Sequence, residues 1–189
     1  MNRLIIVGNG FDLAHGLKTS YADFIDCYLK KVVEQLKIRR EELEEQKETL
    51  ENKIGPIHIY EDDLLKIDWG GSCQSAIKII DEIIARVKEE GYLVVIQNRC
   101  NVEYHSSLFE RIIKDYKNKG WVDIESDYYD MLKDYTLKKR GNVKRLNEEL
   151  SYIEKKLIEY LTEVEKKYLS PNPLDTSKAV IDFETEIRK

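Results

Sequence analysis

Apolar positions along the chain fall into two different rhythms. Between Ser20 and Lys53, Leu29, Leu36, Leu43 and Leu50 recur every seven residues, and Tyr28, Val32 and Val33 widen the stripe near its start. That spacing predicts one long helix, opened by Ser20 and Asp23 three residues apart in a capping arrangement. Arg39 and Gln46 occupy its alternate core positions, so its distal half is expected to project into solvent. A second seam runs through Val143, Leu146, Leu150, Ile153, Leu157, Tyr160 and Val164. The two helices, about 20–53 and 142–168, are expected to pair as an antiparallel coiled-coil-like arm, or else to bind a second copy of the chain.

Shorter blocks lie between them. Ile77, Ile80, Ile83, Ile84 and Val87 predict a helix over 72–88 that stops at Gly91. Pro56 is expected to end the first long helix, with residues 58–67 irregular or briefly helical. Residues 103–117 and 121–137 are two further predicted helices, the second with Trp121, Ile124, Tyr128, Leu132 and Tyr135 on one face. Leu4 to Val7 and Tyr92 to Ile96 are compact apolar runs beside glycine, the pattern of strands covered on both faces. The expected fold is therefore α/β: one domain over 1–189 with a small parallel sheet, a Rossmann-like strand-loop-helix and the helical arm.

Charge narrows the function classes. Asp and Glu number 36 against 31 Lys and Arg, a net charge of -5, which disfavours undirected binding to nucleic acid or anionic lipid. The basic cluster of Lys138, Lys139, Arg140, Lys144 and Arg145 reads as solvated surface. No apolar run reaches membrane-spanning length and Leu4 to Val7 is too short for a secretory segment, so a cytoplasmic protein is expected. The cysteines, Cys27, Cys73 and Cys100, form no C-x-x-C pair, and neither a disulfide framework nor a zinc site is indicated. His58 near Glu61, Asp62 and Asp63, and Cys100 near His105, also lack metal-site spacing, so no metal is assigned.

The candidate chemistry gathers at the first strand's end. Gly8 and Gly10 permit close approach to the backbone, and a helix from Phe11 would point its first amides at the same space, a setting for phosphate. The bland alternative is a tight turn with no ligand. Asp12 and His15, three apart on one helical face, are the candidate catalytic pair, the carboxylate orienting the imidazole as a general base. Asp12 as a cap with His15 in a half-buried slot is the competing reading. Asn98 and Arg99, at the carboxyl end of the expected second strand, are candidate pocket residues or else a polar turn.

Read together, residues 8–24, Gly-Asn-Gly-Phe-Asp-Leu-Ala-His-Gly-Leu-Lys-Thr-Ser-Tyr-Ala-Asp-Phe, resemble the N-terminal signature of the bacteriophage abortive infection AbiH family. Trp121-Val-Asp123-Ile-Glu125 resembles that family's W-x-D-x-E segment. Trp121 is expected to dock in the core while Asp123 or Glu125 faces a polar site, or forms the charged start of a helix. Gly8 to Asp12 with Gly16 and Leu17 is more remotely similar to sirtuin-like nucleotide-binding loops, with Asp12 in place of serine and Lys18 in place of proline. The resemblance implies an anti-phage protein that binds NAD or a related nucleotide through Gly8, Asn9, Gly10, Phe11, Asp12 and Gly16, and hydrolyses it; Asn98, from its expected place at a strand end, completes the candidate nucleotide-binding set. It also implies that the chain lacks the family's later asparagine-bearing strand and His-Gly. The alternative is a non-catalytic sensor whose long helices recognise a phage component or another copy.

Overall fold

The computed structural model describes Asp12 and residues 16–50, 55–138 and 141–169. Its centre is α1, Tyr21–Glu45. Ser20 caps this helix by accepting from the Asp23 amide at 3.1 Å, as the spacing predicts. Phe24, Ile25, Tyr28, Leu29, Val32, Val33, Leu36 and Leu43 form its buried face. The helix stops at Gln46, before a short α2, Lys47–Leu50.

A hairpin of β1, Ile57–Glu61, and β2, Leu65–Trp69, lies against α1, and β3, Asn101–Tyr104, adds to its other edge. Both pairings are antiparallel, with Ile57 opposite Trp69 and Ile67 opposite Val102. Ile57, Ile59, Leu65 and Ile67 point inward at the period of two that one covered face requires. Asp62 closes the hairpin, its Oδ1 accepting from the amides of Leu64 (2.9 Å) and Leu65 (3.1 Å).

This arrangement overturns the expected α/β fold. Among the described residues the sheet is small, three-stranded and antiparallel, with no parallel pair and no Rossmann-like or sirtuin-like layer. Tyr92 to Ile96 is not a strand: it opens α4, Tyr92–Arg99, directly after α3, Cys73–Glu90. Gly91, at φ 84°, is the single-residue joint between them. A short apolar run satisfies its backbone by itself when helical, whereas a strand needs a free edge to pair with. The strands form instead within 57–69, where irregular structure was expected, and at 101–104, where the polar exit of a strand and the start of the 103–117 helix were expected. Leu4 to Val7 lies outside the described residues.

The remaining helices are α5, Ser107–Lys119, α6, Ile124–Leu137, and α7, Val143–Leu169. Glu149 of α7 is buried and caps α5 from a distance, its Oε2 accepting from the Leu108 amide and the Ser106 and Ser107 hydroxyls at 3.0–3.1 Å. The two long helices do not form an isolated arm. α1 packs chiefly on α3 and α7 on α5 and α6, while the α1–α7 contact is smaller and includes the Phe24–Tyr160 ring pair. Among the described residues no helix is long and apolar enough to cross a membrane.

Candidate functional site

The glycine-rich signature enters the described structure at Asp12, whose backbone is helical. The Leu17 amide donates to the Asp12 carbonyl at 2.9 Å, and Gly16 between them is left-handed at φ 74°. That is the hydrogen bond and the glycine of a Schellman helix stop. Gly16 therefore ends a turn of helix, and open space surrounds it. Gly8, Asn9, Gly10, Phe11 and His15 lie outside the described residues, so the Asp12–His15 pair and the glycine cradle are not seen. Asn98 is exposed on α4, on a helix and not at a strand's carboxyl end. Arg99 beside it is held by Glu90 at 3.3 Å.

Beyond Gly16 the chain runs between α1 and α7 and borders a cavity of about 550 Å³. Lys18 on the loop, Lys30 on α1 and Lys167 on α7 contribute three lysine side chains to its lining. Asp23 and Asp26 oppose them, but Asp26 already accepts from the Tyr116 hydroxyl at 2.7 Å and Asp23 from Ser20. Lys18 and Lys167 have no ion pair among the described residues, so the wall keeps cationic capacity. Tyr92 and Tyr168 add aromatic surface at its edge. Asn98 is not part of this wall.

Tyr160 fixes the cavity's floor. It is 6% exposed, its ring packs on Phe24 with centroids 5.9 Å apart, and its hydroxyl donates to the Lys18 carbonyl at 2.5 Å. Burial first, then the charge of Asp23, pushes its hydroxyl up to about 12, so it stays a neutral donor. Cys27 and Tyr160 separate this space from a smaller one of about 200 Å³ at Tyr28 and Asp62. There Asp62 is satisfied by the Tyr28 and Tyr60 hydroxyls, leaving little unmet polarity.

The second signature segment meets the first. Tyr21 donates to Glu125, joining the start of α1 to the first turn of α6. Burial and then this carboxylate hold the Tyr21 hydroxyl well above its usual range. Asp123 caps α6 by accepting from the Ser126 amide at 3.0 Å, the helix-start role weighed for it. Trp121 is 57% exposed and so is not the expected core anchor. Tyr21, Tyr160, Lys18, Lys30, Lys167 and Tyr168 were not among the predicted site residues. Tyr21 and Lys18 fall inside the signature and were open to discovery there, whereas Tyr160 was indistinguishable from a seam residue.

A model of the family described as bacteriophage abortive infection AbiH matches residues 4–185. No curated protein and no solved structure matches the chain.

Proposed function

We propose that this chain, which belongs to the bacteriophage abortive infection AbiH family, serves phage defence by binding a phosphate-bearing ligand of nucleotide size in the cleft between Gly16 and α7. The observation that carries this reading is the convergence of Lys18, Lys30 and Lys167 with two tyrosine rings on one cavity of about 550 Å³, directly downstream of the glycine signature. That volume is within the range of small-molecule sites. Ammonium groups attract phosphate and the rings offer a face to a base. The reading needs no parallel sheet. Gly16 and Leu17, at the helix stop, line this cleft themselves.

Titrating NAD, ADP-ribose and ATP against the 189-residue chain and following its melting temperature tests the idea. A ligand of the native state raises the midpoint by mass action. Substituting Lys18 and Lys167 together with alanine should weaken binding about tenfold or more, roughly 1.4 kcal/mol. No midpoint rise at millimolar ligand would sink the reading. NAD hydrolysis is the catalytic form of the same reading: water cleaves the bond to nicotinamide, leaving ADP-ribose and a proton, with Asp12 and His15 as the acting pair. Nicotinamide release that disappears in Asp12→Asn supports catalysis, and binding without release assigns the cleft to sensing.

A further inference from the structure

The two signature segments enclose a second cavity. Tyr21 at the start of α1, Ile124 and Tyr128 on α6, and Leu150, Ile153 and Leu157 on α7 line a groove of about 380 Å³. Ile124 and Ile153 are buried, whereas Tyr129, which also lines it, is 63% exposed, so the groove opens to solvent. The Tyr21 hydroxyl is engaged by Glu125 and that of Tyr128 by Asn147 at 2.8 Å, so both tyrosines offer the groove ring carbon. An apolar groove of this kind favours an apolar occupant over water. The charged groups on its lining are Glu125 and Glu154, neither of which has an ion pair among the described residues. The matching occupant is therefore an apolar segment with a cationic flank.

The chain carries such a segment within reach. Arg3-Leu4-Ile5-Ile6-Val7, outside the described residues, is a cation followed by four consecutive apolar side chains, a run that gains free energy by leaving water. Asp12 is tied to Leu17 by their 2.9 Å hydrogen bond, and Tyr21, on the groove wall, is four residues past Leu17 and so at most about 14 Å from it. The five residues from Val7 to Asp12 span up to about 17 Å, which covers that distance. On the opposite wall, Leu157 is one helical turn before Tyr160, whose hydroxyl donates to the Lys18 carbonyl beside Leu17. Charge separates this segment from the apolar run at Ala179 to Phe183, which contains Asp182 and is followed by Glu184 and Glu186. Glu125 and Glu154 would repel those carboxylates and attract Arg3.

We propose that Leu4 to Val7 of the same chain fills the groove between α1, α6 and α7, with Arg3 at Glu154. Gly8 to Phe11 then run from the groove back to Asp12 and the Gly16 cleft, so the glycine signature and the Trp121–Glu125 segment form one unit. That the glycine loop thereby borders a bound nucleotide rests on the proposed function; the docking itself does not.

The test places the photo-crosslinker p-benzoylphenylalanine at position 129 of the full chain and maps the products of irradiation by mass spectrometry. Capture of residues 3–7 within one chain is the expected result. Capture of a second copy, capture of residues 179–183, or no capture within 3–7 overturns the proposal. A second measurement follows the thiol of Ile6→Cys against N-ethylmaleimide, site by site beside the native cysteines. It should react about tenfold or more slowly than in denaturant. Leu157→Asp should abolish that protection while Cys73, 2% exposed in the core, stays protected and reports an intact fold. Protection of position 6 that survives Leu157→Asp, or none at the outset, counts against the docking, and if Cys73 too is exposed the crosslink decides. Neither readout involves a ligand, so the docking and the nucleotide reading fail separately.

Discussion

At the scale of single residues, Gly16 and Tyr21 carry the most testable arguments. Gly16 needs its glycine for conformation alone, since a Cβ there would meet nothing within 4 Å but φ is 74°. Gly16→Ala should therefore cost about 1–2 kcal/mol, the left-handed penalty, and Gly16→Asn less. The two urea midpoints check this, and equal stability of all three proteins would contradict a left-handed stop. Tyr21→Phe should lose about 0.5–1.5 kcal/mol, the net worth of one hydrogen bond. Glu125→Ala combined with it should cost less than the sum of the singles, because both remove the same contact. Strict additivity would show that the two signature segments are not coupled. Both segments were legible as motifs, but their meeting was not: Tyr21 and Glu125 are 104 residues apart. No local pattern specifies such a pair.

At the scale of elements, capping and termination were legible where their causes are local. Ser20, Ser72 and Asp123 each accept from an amide three residues on, and Gly91 and Gly120 end helices with positive φ. Partner choice was not legible. The leucine stripe of α1 fits any apolar face, and its owner is α3: Leu36 and Leu43 are fully buried, and Cys73 Sγ donates to the Leu43 carbonyl. Leu36→Ala or Leu43→Ala should then cost about 2–5 kcal/mol in denaturant melts, as cavities in a core do. Ile158→Lys, at a side 64% exposed, should change stability by no more than about 0.5 kcal/mol. If the leucine variants instead change only the sedimentation of the chain, their stripe is an interface between copies. The misassigned run at Tyr92 to Ile96 has the same origin, for its apolar positions suit a strand or a helix and the joint at Gly91 decides.

At the scale of the whole molecule, tyrosine hydroxyls tie distant elements together, and this makes a pH prediction. Tyr28 bridges α1 to Asp62 of the hairpin, Tyr116 bridges α5 to Asp26, and Tyr160 bridges α7 to Lys18. Burial raises each hydroxyl above the ordinary value of 10.0, with Tyr116 and Tyr160 reaching about 12. The folded state thus binds these protons more tightly than the unfolded chain, and their contribution is fully present below pH 10. Stability should fall as pH rises from about 10 toward 12, by up to roughly 1.4 kcal/mol per pH unit for each such group. Ultraviolet titration should show a late fraction of the tyrosinate appearing only together with unfolding; complete smooth ionisation without unfolding would argue against these ties. The sequence by itself determined the family, the cap at Ser20, the helix end at Gly91 and the net acidic charge, because motif identity, caps and charge are local or summed properties. Only the tertiary structure decided that the sheet is antiparallel, that the long helices serve different neighbours, and that Lys18, Lys30 and Lys167 share one wall with the helix stop at Gly16. Those outcomes depend on which of several equally apolar faces bury each other. That competition is settled by packing the whole chain at once, and no window of residues contains it.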